Sequence, residues 1–172
     1  VIFSSQAVAV ATPGASTWTP LHGVQSVGMD TNFNTEQVFE LSNQSIYENI
    51  EGSPDVQVNM SKVFDGYCPL LLAFSQGASS AALVARAAQI SMFGLAIHDS
   101  TVTAATGVPL RECRVSGTVI GSWGAEFNAD GNFLENITLQ ATDKIFYTGG
   151  LQLINFTEFA NDVPRSLYGS GG

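Results

Sequence analysis

Asp55-Val56-Gln57-Val58-Asn59-Met60-Ser61 is the stretch that decides the fold, because apolar and polar side chains alternate in it without a break. Successive side chains of a β-strand point to opposite faces of a sheet, so Val56, Val58 and Met60 share one face. Such a strand is half buried, with one face against a core and the other against solvent. The same period of two recurs along the chain, and the sequence therefore predicts a mainly β protein.

Residues 36–42 form a second predicted strand. We expect Phe39 and Leu41 on its core side, because burying each side chain is worth about 1.5–3 kcal/mol. The period of two then sends Glu36 and Glu40 to the opposite face.

Three later stretches continue the pattern. Cys113, Val115 and Val119 are predicted to share a core face, on which Cys113 would be a reduced thiol. Residues 133–140 and 151–157 predict two more strands.

Turn and helix signals separate these strands. Ala129-Asp130-Gly131-Asn132 predicts a hairpin, since Asp-Gly tolerates the positive φ values of tight turns. Residues 78–87 are rich in Ala without Gly or Pro, which favours a helix. A short turn or helix is also expected within residues 67–74.

Residues 89–97 break the alternation, because large apolar side chains occur on both faces. A strand covered on both sides has this pattern, and in a small domain the second cover could be a neighbouring subunit. The candidate subunit-contact residues are Ile90, Met92, Phe93 and Leu95.

Charge is scarce in this chain of 172 residues, a length typical of one domain. Charged residues make up 12% of it, where a soluble domain averages about 25%. Uncharged polar side chains can be buried against another subunit without stranding an ion, so the composition favours self-assembly; a Ser- and Thr-rich soluble domain is the alternative. The net charge of −9 argues against a protein that holds nucleic acid by its phosphates.

Acidic residues concentrate between residues 36 and 65, where six acids accompany one base, Lys62. This cluster predicts either a solvated hairpin face or a negatively charged wall. The candidates for such a wall, which would face the lumen if the subunits enclose one, are Glu36, Glu40, Glu48 and Glu51.

No motif in the sequence indicates an enzyme, a cofactor or a metal site. A zinc site would need Cys68, Cys113, His22 and His98 together, and none of them has the usual ligand spacing. The apolar residues after Cys68 favour an inert thiol over a nucleophile. No stretch approaches the roughly 18 uninterrupted apolar residues of a membrane span.

Two regions of the sequence stand out beyond their strand patterns. The first runs from Val27-Gly28-Met29-Asp30-Thr31 through Ser45-Ile46-Tyr47-Glu48 to Val63-Phe64-Asp65-Gly66-Tyr67. The second includes Trp123, Asp130-Gly131-Asn132-Phe133 and Asp143-Lys144. Together they cover most of residues 27–147, and they resemble phage tail tube proteins. Cys68 departs from the family pattern.

The resemblance implies an antiparallel β-sandwich or partial barrel with one flanking α-helix and a long loop or hairpin. Residues 1–172 would be a single tail tube domain, with an extended or flexible arm at 1–20 and tail at 165–172. Six subunits would form rings that stack into a tube, one sheet of each joining a continuous inner barrel. Cys68 lies near the loop expected at subunit contacts and is the candidate for an intersubunit bond.

The resemblance also implies partners and a place of action. The protein would bind itself and the tape measure, baseplate and tail terminator proteins, with a sheath protein as a further candidate. Phage DNA would pass through without specific binding. The subunit would be found in the virion tail, and in the host cytoplasm during assembly. A tube of a type VI or extracellular contractile injection system carrying protein, and a non-polymerising baseplate or adaptor ring, are the alternatives.

Overall fold

The computed structural model describes residues 6–15, 18–39, 41, 46–64, 69–75, 90–98, 109–129, 131 and 133–148. Ten strands and one short helix lie in these ranges. The strands are β1 (Gln6–Ala11), β2 (Thr19–Pro20), β3 (Val24–Asn32), β4 (Thr35–Phe39), β5 (Ile46–Glu51), β6 (Asp55–Val63), β7 (Ser91–Ile97), β8 (Arg111–Glu126), β9 (Leu134–Ala141) and β10 (Asp143–Thr148). The helix is α1 (Leu70–Phe74). No helix in these ranges is long and apolar enough to cross a membrane.

Eight strands form one open antiparallel sheet in the order β2-β1-β7-β8-β9-β6-β3, with β10 pairing beside β8. Strand β8 is 16 residues long and serves both halves of the sheet. Its residues 111–118 pair with β7 and β10, and its residues 119–126 pair with β9. We therefore distinguish a five-strand half (β2, β1, β7, β8, β10) from a four-strand half (β8, β9, β6, β3).

The two halves fold over each other. Met29 lies on β3, at the outer edge of the four-strand half, yet its Sδ atom is 3.9 Å from the Sγ atom of Cys113 in the five-strand half. A contact between strands so far apart in the sheet order requires the sheet to curve back on itself. The predicted antiparallel sandwich or partial barrel is thus confirmed, with one small helix beside it.

The core fills the space between the two halves. Val56, Val58 and Met60 point into it from β6, as their alternation predicts. The five-strand half contributes Val8, Val10, Phe93, Cys113 and Val115, and α1 contributes Leu70 and Phe74. Helix α1 confirms the short helix expected within residues 67–74.

Strand β7 is covered on both faces, as the sequence indicates, but the cover comes from the same chain. Phe93 is 0% exposed in the core between the halves. On the other face, Met92 and Ala96 pack with Trp18 and with alanines of β1. An apolar strand with two covered faces is therefore satisfied within one subunit.

The predicted face of β8 is correct up to Val115 and wrong beyond it. Gly117 has a φ of +64°, and the register against β7 shifts between Ser91 and Phe93. This bulge adds a residue to β8 and reverses the alternation. Thr118 is therefore buried and shares hydrogen bonds with Ser91, whereas Val119 is only partly buried.

The hairpin predicted at Ala129–Asn132 is confirmed by the antiparallel pairing of β8 with β9 across this segment. The connection is longer than a two-residue turn, since β8 ends at Glu126 and β9 begins at Leu134.

Strands β4 and β5 form a separate two-stranded sheet, the β4–β5 hairpin, which follows β3 and precedes β6 in the sequence. The prediction that Phe39 and Leu41 lie on the core side is wrong. Phe39 is 61% exposed and Leu41 is 95% exposed. Strand β4 ends at Phe39, with a register shift against β5 between Val38 and Phe39, so Leu41 lies outside the strand. Among the described residues, no layer of the core covers these two side chains.

Several predicted elements lie outside the described residues: the helix at 78–87, the strand at 151–157 and the tail at 165–172. The arm expected over residues 1–20 contains β1 and β2, both members of the sheet.

Candidate assembly surfaces

The four-strand half exposes a polar exterior face, which we call the four-strand face. Its positions point away from the core and alternate with the buried residues of β6 and β9. The side chains on it are Ser26, Asp30 and Asn32 on β3, Asp55, Gln57, Asn59 and Ser61 on β6, Asn136, Thr138 and Gln140 on β9, and Ser122 and Glu126 on β8. None of these is Lys or Arg.

Side chains on this face lie in rows across the strands, because the register aligns them. Asn59 is opposite Gly28 on one side and Thr138 on the other. The Thr138 hydroxyl donates to Asn59 Oδ1 at 3.0 Å. Among the described residues, this face therefore consists of paired amides and hydroxyls together with acids, without a cationic side chain.

Both outer strands of the four-strand half present an edge. In the part of the chain that the structure describes, β3 pairs only with β6, and residues 119–126 of β8 pair only with β9. Unpaired main-chain N–H and C=O groups along such edges are a template for adding another strand. Trp123 lies on one of these edges.

Of the sequence-predicted acidic residues, Glu36, Glu48 and Glu51 belong to the β4–β5 hairpin and not to the four-strand half. Glu36 and Glu48 are exposed and pair with Ile50 and Val38 respectively. Glu40 lies outside the described residues, and only the backbone of Glu51 is described. The signal for the four-strand face was present in the sequence as the polar positions 55, 57, 59 and 61.

Apolar side chains are exposed at both ends of the four-strand half. The β4–β5 hairpin, beyond Asn32, carries Phe39, Leu41 and Ile50. At the opposite end, Phe64, Phe127 and Phe133 form a cluster that we call the phenylalanine cluster. The ring of Phe127 has its centroid 5.5 Å from that of Phe64 and 5.3 Å from that of Phe133. Because exposed apolar patches occur at protein–protein contacts, both ends are candidate contact surfaces.

The four described residues among those predicted at subunit contacts, Ile90, Met92, Phe93 and Leu95, differ in their exposure within the subunit. Ile90 is exposed, while Met92 and Leu95 are partly buried within the subunit. The fully buried Phe93 side chain offers no surface to a neighbour. Cys68 lies outside the described residues.

A buried ion pair, missed by the sequence reasoning, connects the elements that carry these surfaces. Lys62 and Glu135 are opposite each other on β6 and β9, and their Nζ and Oε1 atoms are 3.3 Å apart. Glu135 Oε2 accepts the Leu70 N–H at the start of α1 at 2.9 Å and the Trp123 Nε1–H at 3.2 Å. One carboxylate therefore holds the helix and the β8 edge strand together.

A groove of about 200 Å³ lies on the outer side of the five-strand half, next to Trp18, Arg114 and Tyr147. The Arg114 guanidinium lies over both aromatic rings and donates to Glu112 Oε2 at 2.6 Å. The rest of the lining is mostly apolar, with no nucleophile beside a base.

Cys113 is a buried free thiol, as predicted. Burial raises its pKa, and the nearby Lys144 ammonium offsets a part of that shift. Among the described residues, no group of three His, Cys, Asp or Glu side chains could hold a metal ion.

The fold is that of the tube proteins of phage tails and contractile injection systems. The SPP1 tail tube protein superposes with a TM-score of 0.63 at 9% identity, over 92% of this chain and 83% of that one. A chain from the sheath–tube complex of the extracellular contractile injection system PVC superposes with a TM-score of 0.60 at 13% identity, over 86% of this chain and 91% of that one. A chain from the tube-terminating cap of the anti-feeding prophage gives 0.60 at 13%, also covering 86% and 91%. No protein-family model and no curated protein matches the sequence. These neighbours come from a tail tube, a sheath–tube complex and a tube-terminating cap.

Proposed function

We propose that this protein is a tail tube subunit, that six copies form a ring, and that stacked rings make a hollow tube through which a phage genome passes. The observation that carries the proposal is the four-strand face: a polar exterior without Lys or Arg, bounded on both sides by an edge strand. In a monomer, the unpaired main-chain groups of two open edges promote aggregation. In a ring, the same groups can form hydrogen bonds with the edge strands of the neighbouring subunits.

Edge pairing explains how the ring closes. Strand β3 of one subunit would pair with residues 119–126 of β8 in the next, which removes both open edges of the four-strand half. Six copies of a four-strand half make a barrel of about 24 strands, and strands roughly 4.8 Å apart with a tilt of about 40° give a barrel roughly 50 Å across at the backbone. This width leaves room for a hydrated DNA duplex.

The charge of the four-strand face suits a conduit for a polyanion. Asp30, Asp55 and Glu126 supply its charge, and each recurs in every subunit of the ring. Duplex DNA carries one negative charge per about 1.7 Å, so a cationic wall would retain it. The acidic and amide wall repels it within a screening distance of about 8–10 Å.

Stacking would join opposite ends of the subunit. The β4–β5 hairpin and the phenylalanine cluster lie at the two ends of the four-strand half. A contact between two different surfaces repeats without closing and so builds a filament from rings. Glu36 and Glu48 on the hairpin add negative charge at the junction between rings.

Further partners and the place of action follow from this role. The tube would contact tape measure, baseplate and tail terminator proteins at its inside and ends, and a sheath protein in a contractile tail. The mature protein would lie in the virion tail after assembly in the host cytoplasm. A tube that carries protein in an injection system has the same fold, and the acidic four-strand face is the feature that favours DNA as cargo.

Electron cryomicroscopy of the purified protein, alone and with tail components as seeds, tests the proposal. We expect sixfold rings or tubes with Gln57 and Asn59 facing the lumen. A protein that stays monomeric at high concentration with seeds, or a tube with these residues on its outside, would refute it. Rings that never stack would instead indicate a baseplate or adaptor protein.

A further inference from the structure

The β4–β5 hairpin leaves the four-strand half at one narrow place. Strand β3 ends at Asn32 and β6 begins at Asp55, which are partners in the register of the sheet. The hairpin begins at Thr35 and returns at Glu51, which are also partners. Two short connections, 33–34 and 52–54, therefore carry the whole hairpin.

Asn34 uses three of its polar groups at this place. Its main-chain N–H donates to Asn32 Oδ1 at 3.1 Å, and its side-chain Nδ2 donates to the Ser53 carbonyl at 3.0 Å. Its own carbonyl accepts the Gly52 N–H at 3.2 Å. The φ of Asn34 is 45°, a left-handed conformation that Asn tolerates better than other residues with side chains. One residue thus ties both connections together.

Gly52 completes the arrangement because no side chain fits there. A Cβ atom at this position would lie 2.8 Å from the Asn34 carbonyl oxygen and 3.1 Å from Asn34 Cβ. The clash is with main chain, which cannot rotate away as a side chain can. Any substitution of Gly52 must therefore displace one connection from the other.

We propose that Asn34 and Gly52 form a joint, the hairpin joint, that sets the direction of the β4–β5 hairpin relative to the four-strand half and so prepares it to engage a second copy of this chain. An isolated two-stranded hairpin is marginal in water and would move about its connections. A hairpin already held in its bound direction avoids part of the ordering cost of association. The assembly role rests on the proposed tube function, whereas the directional role does not.

The variants Asn34→Gly, Asn34→Ala and Gly52→Ala separate the contributions to the joint. Asn34→Gly keeps the left-handed backbone and loses the bond to Ser53. Asn34→Ala loses that bond and strains the backbone as well, and Gly52→Ala introduces the clash. Gly28→Ala is the matched control, because a Cβ at Gly28 on β3 meets nothing within 4 Å.

Pulsed electron resonance on the dilute subunit measures the direction of the hairpin. Spin labels at Gln37→Cys on the hairpin and Gln57→Cys on the four-strand face report one distance, in a Cys68→Ser background where Cys113 is buried. We expect Asn34→Ala and Gly52→Ala to broaden the distance distribution about twofold. A hairpin that its connections no longer hold moves on the nanosecond-to-microsecond scale and so takes up a range of directions. Asn34→Gly should broaden it less, and Gly28→Ala not at all.

Tube growth, followed by light scattering on the same variants without labels, tests the link to assembly. We expect Gly52→Ala to slow tube growth roughly tenfold, because the β4–β5 hairpin must then be ordered during association, which costs free energy at that step. Unchanged distance distributions would overturn the joint itself. A broadened distribution with normal growth would overturn its role in assembly. A wild-type protein that forms no rings would refute the tube function, while the distance measurement would still decide the joint.

Discussion

Lys62 Nζ lies 3.3 Å from Glu135 Oε1 in the interior of the subunit, where the two side chains are 1% and 0% exposed. Such a pair is costly to remove from water, and it persists only when its other polar atoms are also satisfied. Lys62 Nζ donates to the Val63 carbonyl, and the Glu135 carboxylate accepts from Leu70 and Trp123. The pair therefore links β6, β9, α1 and the β8 edge strand.

The first prediction concerns this pair. Lys62→Met should lower the free energy of unfolding by about 3–5 kcal/mol, because it leaves the Glu135 charge buried without its cation. The double variant Lys62→Met/Glu135→Gln should recover a large part of the loss. A neutral Gln at that position still offers an oxygen to the Leu70 and Trp123 N–H groups. Urea unfolding of the dilute subunit measures both, and a double variant no more stable than the single one would contradict the assignment.

The second prediction concerns the bulge in β8. Gly117→Ala should destabilise the subunit by about 1–2 kcal/mol, because Gly117 has a φ of +64°. A Cβ there meets nothing within 4 Å, so the effect is one of backbone conformation alone. Gly124→Ala, which also has open space but no positive φ, is the matched control and should not destabilise. Equal urea midpoints for the two variants would argue against a strained bulge.

The third prediction is a pH dependence. Burial raises the pKa of the Cys113 thiol in the folded state above its unfolded value. The contribution of the buried neutral thiol to the free energy of unfolding is complete below the pKa of Cys113 in the unfolded state. It is lost as the pH rises through the pKa of Cys113 in the folded state. The free energy of unfolding should therefore fall more steeply above about pH 8.5, the ordinary cysteine range, in the wild type than in Cys113→Ala. Parallel curves for the two proteins would show that the thiol titrates alike in both states.

The fourth prediction identifies the wall of the tube. Gln57→Lys/Asn59→Lys places cations on the four-strand face and leaves the core intact, since both positions are exposed. Assembled particles should eject DNA more slowly, because the new cations attract phosphates. Glu36→Lys/Glu48→Lys on the hairpin is the comparison variant and should slow DNA ejection less. If the hairpin variant slowed ejection more, the lumen wall would have to be assigned to the acidic residues that the sequence suggested and not to the four-strand face.

The fifth prediction separates assembly from folding. Leu41→Ser should leave the unfolding midpoint of the subunit unchanged, because Leu41 is 95% exposed. It should nevertheless reduce tube growth, since an exposed apolar side chain on the hairpin would be buried in the stacked tube. Leu139→Ala, in the core, should cost about 2–5 kcal/mol of stability. Normal tube growth in Leu41→Ser would exclude this side chain from the ring contact.

Local patterns were sufficient for some of the strands, such as β6 and β9, and for the main turn, but not for β1 and β2, which lie where an arm was expected. The alternation at residues 55–61 predicted which side chains of β6 are buried, and Ala129–Asn132 marked the β8–β9 hairpin. Both signals act over a few residues, through the pleat of a strand and the backbone freedom of turn residues. The same reasoning failed at Val119, because the bulge at Gly117 depends on how β8 pairs with β7.

The sequence by itself determined that this is a β protein with little charge, a buried Cys113 and an acidic segment after residue 35. The tertiary structure alone decided that Phe39 and Leu41 are exposed, that Lys62 and Glu135 are paired inside, and that β3 and the end of β8 are edges among the described strands. Alternation shows that a strand has two faces, but it does not show which layer covers either one. That depends on pairing between strands distant in sequence, such as β6 with β9, and on how the sheet folds over itself.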